Sequence, residues 1–239
     1  MGWLCLGGIA TERFDLANAV GGRLEQLQDP QSGGILLPDA QAGEAVGEVC
    51  FSGGAGMALA AAGRVAAARR MADRFVSMLE DQPEAGRYYN RFRADGSVVP
   101  RPAPPPWEKV YDRELDEQRP ATFATVVNTL VWTGRAVRED EYFRAARRYV
   151  DLVYDHRLDP SGFGRATKFG WAMLNLHDDA GGEDLLAKAR RLGDVLVALQ
   201  SEDGLWDPRP GPDVDAPAHV RLSYSSDCAM TILALAQRP

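Results

Sequence analysis

The feature that most constrains this chain is that it repeats itself. Three segments share the pattern A-R-R-x-x-D: Ala68-Arg69-Arg70-Met71-Ala72-Asp73, Ala146-Arg147-Arg148-Tyr149-Val150-Asp151 and Ala189-Arg190-Arg191-Leu192-Gly193-Asp194. Each sits mid-way along an amphipathic stretch, and a glycine turn follows each, at Gly86, Gly162 and Gly204. Each is preceded by a mostly apolar segment rich in small residues: FSGGAGMALAAAG, ATFATVVNTLVWTG and ATKFGWAMLNLHDD. A fourth such segment, SYSSDCAMTILALAQ, lies near the end of the sequence. Self-similarity at this spacing is the mark of stacked helical hairpins, each burying its apolar face against the next.

A helix that is apolar all round is buried, and one with a charged face is peripheral. The pattern therefore predicts inner helices over 50–62, 121–134, 166–177 and 223–236, and outer helices over 12–28, 64–81, 139–155 and 183–200. At the start, GWLCLGG parallels GWAMLNL at 170–176, and Leu24-x3-Gln28-x4-Gly33 parallels Leu196-x3-Gln200-x3-Gly204. Residues 1–34 thus read as another copy of 169–204, and the sequence begins inside an inner helix. That makes about nine helices, five inner and four outer, against the twelve of a closed six-hairpin ring. Three outcomes stay open: an open ring, a ring completed by a second copy or a partner segment, or a piece of a longer chain. MGWLCLGG lacks the polar face of a capping repeat, which favours the last two.

Alternating inner and outer helices with L-x3-Q-x3-G-x-W at the hairpin end resemble the α/α-toroid proteins. Two superfamilies share this look, the terpenoid cyclases with the protein prenyltransferases, and the six-hairpin glycosidases with their epimerase and lyase relatives. The fold this implies is all-α, an incomplete α/α toroid, over the whole chain apart from an insertion at 84–118. Leu196, Gln200, Gly204 and Trp206 resemble the QW motif of squalene-type cyclases, in which the Gln caps a neighbouring inner helix and the Trp stacks on the Gln. The family's basic residue followed directly by glycine is interrupted here, as Arg191-Leu192-Gly193. SSDCAMTILAL also resembles the acidic D-x-D-D-T-A-M region of cyclases that protonate an alkene. Asp227, Ala229 and Met230 match, but the first acid falls on Tyr224 and the proton donor on Ser226. The zinc ligands of prenyltransferases are not matched, because Asp227 and Cys228 are adjacent and diverge around a helix.

Connection lengths distinguish the two ends of the ring. Inner-to-outer links are short, whereas the outer-to-inner links at 29–49, 82–120, 156–165 and 201–222 are long, as binding loops and lids are. The long links share the end where the inner helices begin, with their free N–H groups and positive dipole ends. The longest link predicts a β-hairpin, 87–93 with 97–101 around Asp95-Gly96, then a Pro-rich flap carrying Trp107. Polar residues near the starts of inner helices are the cavity candidates: Glu44, Glu48 and Ser52; Arg119, Thr122, Thr125 and Asn128; Arg165, Lys168, Trp171 and Asn175; Tyr224, Ser226 and Asp227. Asp227, Lys168 and Glu48 are the expected acid/base groups, because opposite charges facing one cavity tune each other. Arg119, Thr122, Asn128, Arg165, Trp171, Tyr224, Ser226 and Trp107 are the expected substrate contacts. HDDAGGED at 177–184 has the composition of a metal cluster, but it falls on a short turn at the opposite end and reads as a helix end plus an acidic first turn.

A net charge of −7 argues against a nucleic-acid or anionic-membrane surface. No apolar run reaches the roughly 18–20 residues of a membrane span, and the start lacks the basic flank of a signal peptide; the expected location is cytoplasmic. The three widely spaced cysteines, Cys5, Cys50 and Cys228, fit neither a disulfide framework nor a zinc ribbon. No cofactor and no metal are expected, and the expected partner is a small-molecule substrate. The leading expectation is a cyclase or isomerase of terpenoid-cyclase type acting on an apolar molecule. The alternatives are a carbohydrate-active six-hairpin enzyme and a non-catalytic binding or assembly module.

Overall fold

A computed structural model describes residues 1–39, 43–82, 89–99, 120–154, 167–206 and 218–238. Among these residues nine helices follow in order: α1 (Gly2–Ala10), α2 (Phe14–Leu27), α3 (Val49–Ala61), α4 (Val65–Glu80), α5 (Pro120–Val137), α6 (Asp140–Tyr154), α7 (Phe169–Ala180), α8 (Glu183–Ala198) and α9 (Ala218–Ala236). The odd-numbered helices pack on one another in sequence, α1 on α3, α3 on α5, α5 on α7 and α7 on α9. The even-numbered helices pack outside them in the gaps. This is an α/α toroid of antiparallel hairpins, with the five inner and four outer helices the repeat predicts.

The sequence pattern explains the layering. In α4 the buried residues Ala67, Ala68, Met71, Ala72, Phe75, Met78 and Leu79 form one stripe, and Arg69, Arg70 and Asp73 lie outside it. In α3 burial runs unbroken from Ser52 to Leu59. Small residues let the inner helices approach closely. A Cβ added to Gly53 would lie 2.4 Å from Thr125 Oγ1, and one added to Gly170 would lie 2.3 Å from Thr231 Cγ2. The threonines exploit that closeness: Thr129 Oγ1 donates to Gly53 O at 2.7 Å, and Thr231 Oγ1 donates to Thr167 O at 2.7 Å.

One element was not foreseen. A three-stranded antiparallel sheet, β1 (Leu36–Asp39), β2 (Glu44–Glu48) and β3 (Arg91–Arg93), leads into the start of α3. The turn at Asp95-Gly96 is present, with Phe92 bridged to Val98, but β3 pairs chiefly with β2. The rest of the expected hairpin, the Pro-rich flap and Trp107 lie outside the described residues. No described helix is long and apolar enough to cross a membrane.

The two Gln hinges depart from the cyclase pattern. Gln28 is buried; its Nε2 donates to Gly33 O at 2.7 Å and Ala67 O at 2.9 Å, and its Oε1 accepts from the Arg70 guanidinium. It therefore ties its turn to the outer helix α4, not to an inner-helix end. Gln200 is exposed and, among the described residues, donates to Gly204 O, within its own turn. Trp206 Nε1 donates to Leu196 O at 2.6 Å and its backbone N–H to Ser225 Oγ at 2.9 Å, so the ring closes α8 against α9. Both turns need a glycine in the left-handed region, Gly33 at φ 72° and Gly204 at φ 80°.

Candidate functional site at the inner-helix mouth

Lys168 is the N-cap residue of α7, and Asp227 reaches it from the middle of α9. Lys168 Nζ lies 2.8 Å from Asp227 Oδ2, with the lysine side chain 9% exposed and the aspartate 25%. Thr231, one turn beyond Asp227, sets this register: its hydroxyl donates to Thr167 O and accepts from Trp171 N at 3.0 Å. Glu48 caps α3, its Oε2 accepting from Phe51 N at 3.1 Å. Burial alone would pull the Lys168 pKa down. The opposing fields of Cys50, Asp227 and Glu48, together with the Asp227 hydrogen bond, outweigh it and raise the pKa. Lys168 therefore carries its charge at neutral pH, hydrogen-bonded to Asp227.

A row of three tryptophans begins at Lys168. Lys168 Nζ lies 5.6 Å from the centroid of the Trp3 ring. Trp3 and Trp171 have centroids 6.4 Å apart, and Trp132 meets Trp171 edge-on at 5.8 Å. Below them Asn175 Nδ2 donates to Asn128 Oδ1 at 2.7 Å. Asn128 is wholly buried and its Nδ2 has no acceptor among the described residues, an arrangement that costs about 1–3 kcal/mol.

Other expected residues go elsewhere. Glu44 is exposed and pairs with Arg93 at 2.6 Å. Ser52 accepts from Ile35 N, tying the link before β1 to α3. The Thr125 hydroxyl lies within 3.4 Å of the carbonyls of Val49, Cys50 and Thr122, so it joins α5 to α3, and Thr122 is buried beside it. Ser226 is exposed and donates to Ser223 O at 2.7 Å, which turns it away from Lys168. Tyr224 is half-buried on the Asp227 face of α9. Burial first, and then Asp227, pushes the Cys228 thiol pKa well up, leaving it inert. Arg119, Arg165 and Trp107 lie outside the described residues. In HDDAGGED, Asp178 pairs with Arg238, Asp179 with Arg135 and Asp184 with Arg147, so these acids are helix-end ion pairs.

Trp3, Trp132 and Cys50 were missed as site residues. For Trp3 the signal was present: the internal repeat aligns Gly2-Trp3 with Gly170-Trp171, and the fold brings those two rings together. A separate cleft of about 240 Å³ lies at the Gln28 hinge, lined by Ser32, Gly33, Arg70, Asp73 and Arg74 among others. Arg70 and Arg74 there hold Gln28 and the carbonyls of Ser32 and Gly96, which is a structural task.

No family model and no curated protein matches the chain in sequence. Among solved structures the chain is similar to a GH76 α-mannanase of Bacteroides thetaiotaomicron, with a TM-score of 0.66 and 14% identity, over 98% of this chain and 67% of that one. At this identity the likeness establishes the toroid fold alone.

Proposed function

We propose that this chain is a carbohydrate-active protein of six-hairpin type, working on an oligosaccharide at the mouth of the ring as a hydrolase, lyase or epimerase. The observation that carries this reading is the set of tryptophan rings beside a largely buried ion pair, with Trp3 and Trp171 6.4 Å apart and Lys168 of the Lys168–Asp227 pair over the Trp3 ring. A sugar offers such a site an apolar C–H face for the indoles and hydroxyls for the charged groups. A purely apolar substrate would cover a buried ion pair and the amides with nothing to bond to them, which is unfavourable. The departures from the cyclase acid motif, with Ser226 turned outward, weigh against alkene protonation in the same way.

In this reading Asp227 is the reacting carboxylate, since it keeps an exposed edge. Lys168 orients it, and Glu48 holds the Lys168 charge from the α3 cap. The similarity to an α-mannanase makes α-linked mannan the first substrate to assay. Incubation with α-mannan oligosaccharides is expected to release new reducing ends or to give an unsaturated or epimerised product, and Asp227→Asn is expected to remove that activity. Turnover of a polyprenyl diphosphate with no action on any oligosaccharide would return the reading to the cyclases.

One observation favours a second reading, sugar binding without cleavage. Both carboxylates already serve as acceptors, Asp227 from Lys168 and Glu48 from Phe51 N–H, whereas glycosidic cleavage needs one carboxyl to donate a proton to the leaving oxygen. Oligosaccharide binding with no product over prolonged incubation would select it.

A further inference from the structure

We infer that Thr231 is the positioning residue of the mouth: its hydroxyl caps α7 from α9 and so holds the tryptophan platform and the Asp227 carboxylate in one register. This rests on the carbohydrate reading above, in which Asp227 reacts and the indoles hold the sugar. The inner helices α3 and α7 solve one problem in two ways. In each, the third helical N–H has no partner inside its own helix. In α3 the N-cap residue supplies the acceptor, with Glu48 Oε2 3.1 Å from Phe51 N. In α7 the N-cap residue is Lys168, whose ammonium can only donate and makes no cap bond.

Thr231 takes over that task from the neighbouring helix. Its Oγ1 accepts from Trp171 N at 3.0 Å and donates to Thr167 O at 2.7 Å, so one hydroxyl grips the chain on both sides of Lys168. Gly170 permits the approach, since a Cβ there would lie 2.3 Å from Thr231 Cγ2. Thr231 is wholly buried, and a valine in its place would set a methyl group against the Trp171 N–H and the Thr167 carbonyl. With the cap supplied by α9, the Lys168 side chain turns to Asp227 instead, at 2.8 Å.

Asp227 and Thr231 are four residues apart on one face of α9. α9 therefore holds the start of α7 twice, at the backbone through Thr231 and at the side chain through Asp227. A lysine at a helix start is opposed by the helix dipole, and Asp227 answers that charge. Trp171 carries the gripped N–H, and its ring lies 6.4 Å from Trp3 and 5.8 Å from Trp132. Loss of the Thr231 hydroxyl thus unlocks the spacing between the Trp171 indole and Asp227, although the buried Thr231 itself touches no ligand.

Thr231→Val and Thr231→Ser test this, with Thr231→Ala in reserve if the valine form does not fold. Hydrogen exchange at the Trp171 backbone amide should rise about tenfold in Thr231→Val and stay near native in Thr231→Ser, which keeps the hydroxyl. The Lys168 Cε resonance should move in Thr231→Val in the direction it moves in Asp227→Asn, and stay in place in Thr231→Ser. Isothermal titration with α-linked mannotriose should show about a tenfold loss of affinity in Thr231→Val, restored in Thr231→Ser. Native Trp171 exchange with an unmoved Lys168 resonance in a folded valine or alanine form overturns the inference. So does a serine form no better than the valine form, or native affinity in a form whose Trp171 and Lys168 signals have moved. If the native protein binds no oligosaccharide, the carbohydrate reading falls, and the amide and lysine signals still decide whether Thr231 holds the register.

Discussion

The mouth of the ring and its far end both carry carboxylates paired with cations, in different environments. At the far end Asp178, Asp179 and Asp184 meet Arg238, Arg135 and Arg147, with Asp178 45% and Asp184 49% exposed, and Asp179, 19% exposed, paired to an arginine that is 56% exposed. Water screens such pairs, and each is worth about 0–1 kcal/mol. At the mouth Lys168 is nearly enclosed, and burial, which lowers its pKa, is outweighed by Cys50, Asp227 and Glu48, which raise it. A buried ion pair is seldom a stability device, since apolar side chains of the same volume do as well or better. Its position between two inner helices therefore sets it apart from the far-end pairs.

The largest effect should come from breaking the mouth pair. Lys168→Ala leaves two carboxylates facing an enclosed site, and the unfolding free energy measured in urea should fall by about 2–4 kcal/mol, the lower part of this range reflecting the partial exposure of Asp227. The double variant Lys168→Met/Asp227→Leu should recover most of that stability while losing sugar binding. A stable Lys168→Ala protein would erase the distinction between the two ends.

Within the long links, Gln28→Ala should cost about 2 kcal/mol, because it leaves the Gly33 and Ala67 carbonyls without their side-chain donor in a buried hinge. Gln200→Ala, in the matching but exposed hinge, should cost less than about 1 kcal/mol. At the far end Asp178→Ala should also stay below about 1 kcal/mol. Similar losses at all three positions would mean that burial does not set the contrast.

Titration separates the ends without mutation. The Lys168 pKa is raised by its anionic neighbours against burial, so its contribution is complete below the ordinary lysine range and lost as pH climbs beyond about 10. The Asp184 pKa is lowered, first by its hydrogen bond from Arg147, so its contribution is present above the ordinary aspartate range and lost as pH falls below about 4. Base should loosen the mouth and acid the far end, read by amide exchange in α7 and at the start of α8. Loss of α7 protection in acid before base would reverse the assignment.

The helical layering was legible because it depends on periodicity alone: A-R-R-x-x-D on the outer faces and small apolar runs inside. Lys168 and Asp227 stood out together because charge on an inner helix is rare, and the fold pairs them. The sheet was not, since β1 is only LLPD, with a proline, and β2 is EAVGE, with a glycine, and such short strands give little alternation. Ser226 and Asp227 are neighbours in sequence but roughly 100° apart around α9, so only the packing of Thr231 on α7 decides which one faces Lys168. Gln28 and Gln200 sit in matching motifs, and their different burial comes from Arg70 and Ala67 on α4, partners the motif itself does not encode. Cys50 enters the site through the field of a lysine on a distant helix, which no local pattern reveals.

The central claim is that sugar is held between the tryptophans of the mouth. Indole N–H resonances, followed by NMR while α-linked mannotriose is added, test it most directly. The account predicts that the Trp3 and Trp171 signals move together and saturate, while Trp206, buried in its hinge with Nε1 bonded to Leu196 O, stays in place. Saturable movement of Trp206 with Trp3 and Trp171 unmoved would contradict it.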